Sequence, residues 1–318
     1  MDGRVEALCS SSKKGLPKNE KPDARFEINQ GMVGDAHAGP GHRQVSLLGA
    51  GDVEEFKRLS GLPLTAGAFA ENVLVSGIDL RSLGLGSRLR LGADVVLTIT
   101  QRGKVCHDRC AIYFHAGDCI MPRRGLFARV LARGTVTVRD PARIEHLVPR
   151  ALAQAVVITV SDRCSRGEAE DTAGPAVADT LVASRFCHVY TRETIADDRD
   201  GIAARLRHYC DGHSIDLVLA VGGTGFAPRD VTPEAVRDVV DRLTPGLDEA
   251  MRAASQAQTT HAMLSRATSG IRHSTLVVSL PGSRNAAVQN LEAILPALEH
   301  GLAKLRGDPS DCGRPRKP

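Results

Sequence analysis

The chain has no tryptophan, and only three tyrosines and seven phenylalanines among its 318 residues. With so few flat side chains there is little on which unpaired bases could stack, so no nucleic-acid partner is expected. No uninterrupted apolar run approaches the ~20 residues a membrane-spanning helix needs, and residues 1–21 are polar and Lys-rich with no apolar core. We therefore expect no membrane partner and a cytoplasmic protein that is not exported. Cysteine is sparse too: eight residues, irregularly spaced from Cys9 to Cys312, do not make the dense framework of a small secreted fold.

What is present describes a globular chain. Hydrophobic residues make up 42% and charged ones 25%, with 31 Gly and 16 Pro, so packed cores are expected and disorder is not. The length is about twice the ~150 residues of a typical domain, which predicts two. Charge divides unevenly. Residues 1–150 carry 22 Lys+Arg against 16 Asp+Glu, and residues 151–318 carry 19 against 21, so the net charge of +4 lies in the first half. A modest positive excess suits a small anionic ligand.

The pattern predicts a β-rich first half, a barrel or folded sheet, with short strands at Val45–Leu48, Asn72–Val75, Arg88–Leu91, Val95–Thr100, Ala128–Ala132 and Thr135–Val138 and a helix at Gly51–Leu59. In the second half the strand-like runs Ala155–Val160, Cys187–Thr191, Ile215–Val221 and Ser274–Leu280 alternate with helical segments, which predicts a mostly parallel sheet with crossover helices. The break falls within residues 139–154, where Asp140-Pro141 and Pro149 punctuate the chain. Domains of residues 1–145 and 150–308 are expected, with loose tails at residues 1–21 and 309–318. Val288, Leu291, Leu295, Leu298, Leu302 and Leu305 recur at steps of three and four on one face of a last helix. Ser283 is its expected N-cap, and Pro296 a possible kink.

Three loops leave strands in the second half with anion-binding chemistry. Gly222-Gly223-Thr224-Gly225 follows an apolar run and precedes Thr232-Pro233, a cap and first-turn proline pair; glycine lets backbone amides approach an anion, and the Thr224 hydroxyl adds a donor. Alone, this loop is equally a tight turn. Pro281-Gly282-Ser283 leaves a second strand, and Ser161-Asp162-Arg163, followed by Ser165, leaves a third. In open α/β sheets ligands bind at these strand ends. Asp230, preceded by Arg229, and Asp197 stand near helix starts, where a carboxylate either caps the helix or serves a phosphate site through Mg²⁺ or a polar substrate.

The string from Gly222 through Arg229-Asp230-Val231-Thr232-Pro233-Glu234-Ala235, followed by Pro281-Gly282-Ser283, resembles the molybdopterin adenylyltransferase family (MogA and MoaB types) over about residues 155–307. The resemblance implies a three-layer αβα domain that trimerises and transfers AMP from ATP, with Mg²⁺, to the terminal phosphate of molybdopterin, releasing pyrophosphate. It implies Asp230 and Asp197 as catalytic aspartates; Ala196 stands where that family often has proline. The phosphate-binding set is then Ser161, Arg163, Ser165, Gly222, Gly223, Thr224, Gly225, Arg229, Pro281, Gly282 and Ser283.

In the first half, Cys106 and Cys110 lie among Arg102, Lys104, His107 and Arg109, and positive neighbours favour a thiolate. Cys106 is thus either a reactive thiol or an inert, partly buried one. A structural metal on Cys106, His107, Cys110, His115 and Cys119 is the weaker reading, because the spacing is not the paired pattern of a zinc ribbon. Val33-Gly34-Asp35-Ala36-His37-Ala38-Gly39, Arg43-Gln44-Val45-Ser46, Phe69-Ala70-Glu71-Asn72 and residues 101–106 resemble the MOSC domain, the C-terminal region of molybdenum cofactor sulfurases, over roughly residues 26–140. That resemblance implies a β-rich fold and a pterin-binding or sulfur-handling site around Cys106, Asp35, His37, Arg43 and Asn72, although Asp35 and His37 also read as a turn. The usual Arg-x-Pro-Cys is here Gly103-Lys104-Val105-Cys106. Together the halves imply a bidomain protein of molybdenum cofactor biosynthesis that works with molybdenum-insertion or sulfur-donor proteins. The alternative is a non-catalytic molybdopterin carrier or scaffold.

Overall fold

The computed structural model describes residues 3–104, 113–114 and 118–309. The chain divides into two compact units, Met1–Ala151 and Leu152–Pro318.

The first unit is built on a closed barrel. Its staves, in order around the ring, are β1 (Gly3–Ser10), β6 (Val73–Ser76), β5 (Val45–Gly49), β9 (Leu126–Ala132), β8 (Val95–Arg102), β7 (Arg88–Leu91) and β11 (Pro141–His146), and β11 pairs back onto β1. Within the ring β5 and β6 are parallel and the other ladders antiparallel. The short β2 (Asn19–Lys21) extends β1, and β10 (Gly134–Thr137), β3 (Asp23–Glu27) and β4 (Gly31–Met32) form a separate small sheet. Val5, Leu8, Leu47, Val75, Leu97 and Ile99 fill the interior. Helix α1 (Ala50–Ser60) and the short α2 (Met121–Arg124) close one side through Val53, Phe56, Phe69, Met121 and Phe127, where Phe56 and Phe69 meet edge to face at 5.2 Å.

Two expectations for this half are corrected. Residues 1–21 are not a loose tail, since Gly3–Ser10 is a stave buried at alternate positions Gly3, Val5 and Ala7. The signal was present as period-two alternation, but the Lys-rich stretch after it dominated the composition. The expected break at residues 139–154 contains β11, whose Ala142 faces Gly3 and closes the ring. The polar pattern of Pro141–His146 hid a strand with one buried side chain.

The second unit carries one six-stranded sheet in the order β13 (Cys187–Ile195), β12 (Ala153–Val160), β14 (Leu217–Val221), β17 (Thr275–Leu280), β16 (Ser269–Arg272), β15 (Arg242–Leu243). The first four strands are mutually parallel, and the last two run antiparallel at one edge. Every residue of β12, β14 and β17 is buried, so both faces of the sheet are covered, as parallel strands require. Helices α4 (Ala173–Ala183), α7 (Pro245–Gln256) and α8 (Arg284–Leu305) pack Val177, Leu181, Met251, Leu291, Ile294 and Leu298 against Val157, Leu219 and Val278. The remaining helices are the single turn α3 (Asp162–Ser165), α5 (Arg199–Gly212) and α6 (Thr232–Arg237). Of the apolar stripe on the last helix, Leu291, Leu298 and Leu302 are buried in the core and Leu295 and Leu305 pack against it partly buried, and the helix continues through Pro296. Helix α6 takes Val231 as its N-cap, one residue before the expected Thr232. Among the described residues no helix is long and apolar enough to cross a membrane.

Candidate functional site

The C-terminal ends of β12, β14 and β17 bring three loops together. Gly222 and Gly223 both have positive φ, 117° and 62°, and both are tightly surrounded. A Cβ on Gly222 would sit 2.2 Å from the Val160 carbonyl; one on Gly223 would sit 2.5 Å from Thr232 Oγ1 and 3.0 Å from Asp197 Oδ1. Any side chain at either position would have to displace the neighbouring loop. Gly282 lies against Gly222, with 3.3 Å between its would-be Cβ and the Gly222 Cα.

Carboxylates surround this junction. The Asp162 N–H donates to Asp197 Oδ2 at 2.7 Å, and the Asp197 N–H donates to Asp162 Oδ1 at 3.1 Å. Arg229 grips Asp162 Oδ2 through Nε and Nη2 at 3.0 and 2.7 Å, which holds that carboxyl below its ordinary range. Asp197 is shifted the other way. Burial raises its pKa, and the charges of Asp162 and Asp230 add to the effect. Asp230 folds its own loop back, accepting from the Ala227 N–H at 2.9 Å, and its Oδ2 lies 2.8 Å from where a Gly225 Cβ would be.

Arg266, just ahead of β16, braces the loop. Its backbone N–H donates to the Thr224 carbonyl at 2.9 Å, and its Nε to the Gly225 carbonyl at 2.7 Å. The two Nη groups reach the Asp230 carbonyl and Glu234 Oε1. Two cavities share the braced loop. One, of about 310 Å³, lies between Thr224, Gly225, Pro281 and Ser283 on one wall and Arg252 and Asn290 on the other. The second, of about 450 Å³, is bounded by Phe226, Pro228, Asp230, Val231 and Arg266.

The structure therefore gathers Gly222, Gly223, Thr224, Gly225, Arg229, Asp230, Asp197, Pro281, Gly282 and Ser283. Ser161, Arg163 and Ser165 belong to the turn around α3: Ser161 Oγ caps it on the Cys164 N–H, Ser165 Oγ donates to the Asp162 carbonyl, and Arg163 is exposed. Asp198, beside Asp197, caps α5 on the Gly201 N–H at 2.7 Å, so the capping role falls to Asp198 and not to Asp197. Sequence reasoning missed Asp162 as a partner of both Asp197 and Arg229, and it missed Arg266, for which spacing offers no signal. It also missed the buried Thr232 hydroxyl, which has no hydrogen-bond partner among the described residues and faces Gly223.

In the first unit, Cys106, His107, Cys110 and His115 lie outside the described residues. Asp35 and His37 form a turn, since the Asp35 carboxylate accepts from the His37 N–H at 3.0 Å, but more is built on it. Lys18 Nζ reaches the same carboxylate at 2.9 Å, with both side chains at most 1% exposed, and Ser11 N–H donates to it as well. Asn72 is a brace: its side-chain Oδ1 accepts from the Ser46 N–H at 3.0 Å, and its Nδ2 donates to the Cys9 carbonyl at 3.1 Å. Arg43 Nε donates to Gln101 Oε1 at 2.5 Å, and the guanidinium lies 5.5 Å from the Phe127 ring centroid. Cys119 packs in the apolar cluster with Phe56 and Met121.

Comparison with known proteins agrees with this division. The family described as "Probable molybdopterin binding domain" matches residues 156–300, and the MOSC domain matches residues 34–143. A molybdopterin adenylyltransferase of Helicobacter pylori is 38% identical over 153 residues, covering 48% of this chain and 87% of that protein. A molybdenum cofactor biosynthesis bifunctional protein of Synechococcus elongatus is also 38% identical over 153 residues, 48% of this chain and 47% of its own length. The solved structure of the molybdopterin biosynthesis enzyme MoaB from Thermus thermophilus, 41% identical, covers 50% of this chain and 100% of that one at a TM-score of 0.48. Behind its N-terminal MOSC domain, the chain belongs to the molybdopterin adenylyltransferase family of molybdenum cofactor biosynthesis.

Proposed function

We propose that the second unit transfers the AMP moiety of MgATP to the terminal phosphate of molybdopterin at the ends of β12, β14 and β17. A phosphate oxygen of molybdopterin attacks the α-phosphorus, the bond from that phosphorus to the bridging oxygen breaks, and pyrophosphate leaves with the bond electrons. The observation that carries this reading is the meeting of Gly222, Gly223 and Gly282 with Asp162, Asp197 and Asp230 in one place. Glycine backbone suits phosphate, but three carboxylates repel it. The combination makes electrostatic sense when a cation enters between them. Among the described residues no group of three or more side chains is arranged to hold a metal by itself. A Mg²⁺ carried in on the triphosphate needs only one or two carboxylates, which Asp197 and Asp230 would supply, and it neutralises charge on the phosphates. Arg229, held on Asp162, adds a positive group at the rim.

For the first unit we propose a pterin-binding or sulfur-handling role around Arg43, Asp35, His37 and Cys106. It rests on the MOSC match and on the basic composition of that half.

The deciding assay follows pyrophosphate release from MgATP with molybdopterin, and identifies the product by mass. Adenylylated molybdopterin in stoichiometric amount with pyrophosphate is the expected result, with Asp230→Asn folded and inactive. Tight molybdopterin binding without pyrophosphate release would make the chain a carrier instead.

A further inference from the structure

We propose that His208 and His213 form a two-imidazole site for a divalent transition ion of the zinc class, with water in the remaining coordination positions. His208 lies near the C-terminal end of α5, and His213 is the residue that caps that end. Their Nε2 atoms stand 3.1 Å apart, with ring centroids at 4.8 Å and planes inclined by 68°. In such a contact one nitrogen carries a hydrogen and the other a lone pair. The spacing is also what a single metal ion asks of two imidazoles. With metal–nitrogen bonds of about 2.0–2.1 Å, two ligand atoms are about 2.9 Å apart at a right angle and about 3.3 Å apart at the tetrahedral angle. The observed separation falls between these limits, so the backbone need not move. Rotation of the exposed His208 ring lets both lone pairs converge, and the Nε2 hydrogen passes to Nδ1 of the same ring, leaving two neutral ligands.

The surroundings suit a cation. Helix α5 has 14 residues, and its C-terminal end carries the negative pole of the backbone dipole. Two aromatic rings stand beside the pair: the buried Tyr209 at 5.6 Å from the His213 ring, and Tyr190 at 6.0 Å from it. Tyr190 owes its place to a bulge in β13. Ala155 of β12 pairs with Val189 and Val156 with Thr191, so Tyr190 has no residue opposite, and a bulge re-aims the side chain that it carries. The Tyr209 hydroxyl meets Arg205 Nη2 at 3.1 Å, and Arg205 Nε donates to Glu193 at 2.9 Å, which fixes that ring. His213 is buried and His208 exposed, so one side of the ion is shielded and the other is open to water. Nitrogen donors set the class of ion, since imidazole suits Zn²⁺, Ni²⁺ and Cu²⁺ whereas Mg²⁺ prefers oxygen. None of these residues belongs to the loops around Gly222, and the site does not depend on the adenylylation reading.

The test titrates zinc chloride into the metal-stripped full chain by calorimetry and follows the histidine ring signals by NMR. His208→Gln keeps a hydrogen-bonding group beside His213 but no imidazole, and His208→Ala keeps neither; the position is exposed, so both variants should fold. The wild type is expected to bind one equivalent of Zn²⁺ that both variants bind more weakly by a factor of about ten or more. Cys106→Ser, which alters the cysteine-containing stretch of the first half, is expected to retain that equivalent. The His208 and His213 signals should move together, and excess Mg²⁺ should not compete. Undiminished binding in both His208 variants, loss of the equivalent in Cys106→Ser alone, movement of other histidine signals in place of these two, or displacement by Mg²⁺ would each overturn the site and leave only a hydrogen bond between two histidines at the end of α5.

Discussion

Asp162 and Asp197 exchange backbone-to-carboxylate hydrogen bonds in both directions, at 2.7 and 3.1 Å, across 35 residues of sequence. Two carboxylates are locked side by side, and only one of them has an arginine. Arg229 compensates Asp162, so the excess negative charge rests on Asp197, which burial has already made hard to ionise. The Mg²⁺ proposed above would offset that charge.

Asp197→Asn should therefore abolish adenylylation and raise thermal stability. The sign follows from the raised carboxyl. The folded state holds its proton more tightly than the unfolded chain, so ionising Asp197 costs stability, from the ordinary value near 3.8 upward. The gain in Tm should be full at neutral pH and vanish below about pH 3.8, where the aspartate is protonated in both states. A loss of Tm at pH 7 would mean that the carboxylate is a structural acceptor and nothing more.

Gly223→Ala should cost about 1–3 kcal/mol of stability, because alanine at φ 62° is strained and its methyl would press on Thr232 Oγ1. Nucleotide affinity should fall further than stability does, as the amides move. Denaturant titration and calorimetry on the same preparation separate the two effects. An unaltered affinity would reduce this loop to a turn.

Lys18→Met should destabilise the first unit by about 3–5 kcal/mol, since it leaves Asp35 buried without its counter-charge. Lys18, His37 and the turn amides hold the Asp35 carboxyl far below its ordinary range despite burial. That contribution is present at neutral pH and is lost as pH falls below the usual carboxylate range. Urea midpoints at pH 7 and pH 3 measure it, and equal midpoints for variant and wild type at pH 7 would show that the pair is not a constraint.

A fragment of residues 152–318 should fold and turn over alone, because the Asp216–Arg306 pair and the sheet core both lie within it. Circular dichroism and the pyrophosphate assay test this together. A folded but inactive fragment, beside an active full chain, would place part of the active site in the first unit.

Local chemistry was legible in the residues themselves. The glycines of the 222–225 loop, the leucine stripe of the last helix and most strands of both sheets follow from short-range pattern, because burial on a face imposes a period of two or of about 3.6. Asp230 and Asp197 stood out for the same reason, as carboxylates beside loops that leave apolar strands. Two kinds of feature depended on the tertiary structure. Closure of the barrel requires Ala142 to meet Gly3, and Pro141–His146 is too polar a stretch to announce its strand. Pairings such as Lys18 with Asp35, Asp162 with Asp197 and Arg266 with the Thr224 and Gly225 carbonyls join residues 17 to 42 positions apart. An isolated Lys or Arg in a sequence carries no mark of its partner, since a charge is recognised across space and any of 37 acidic side chains could have answered it. Only the packing of strands, which brings loop ends within hydrogen-bond reach, selects the one that does.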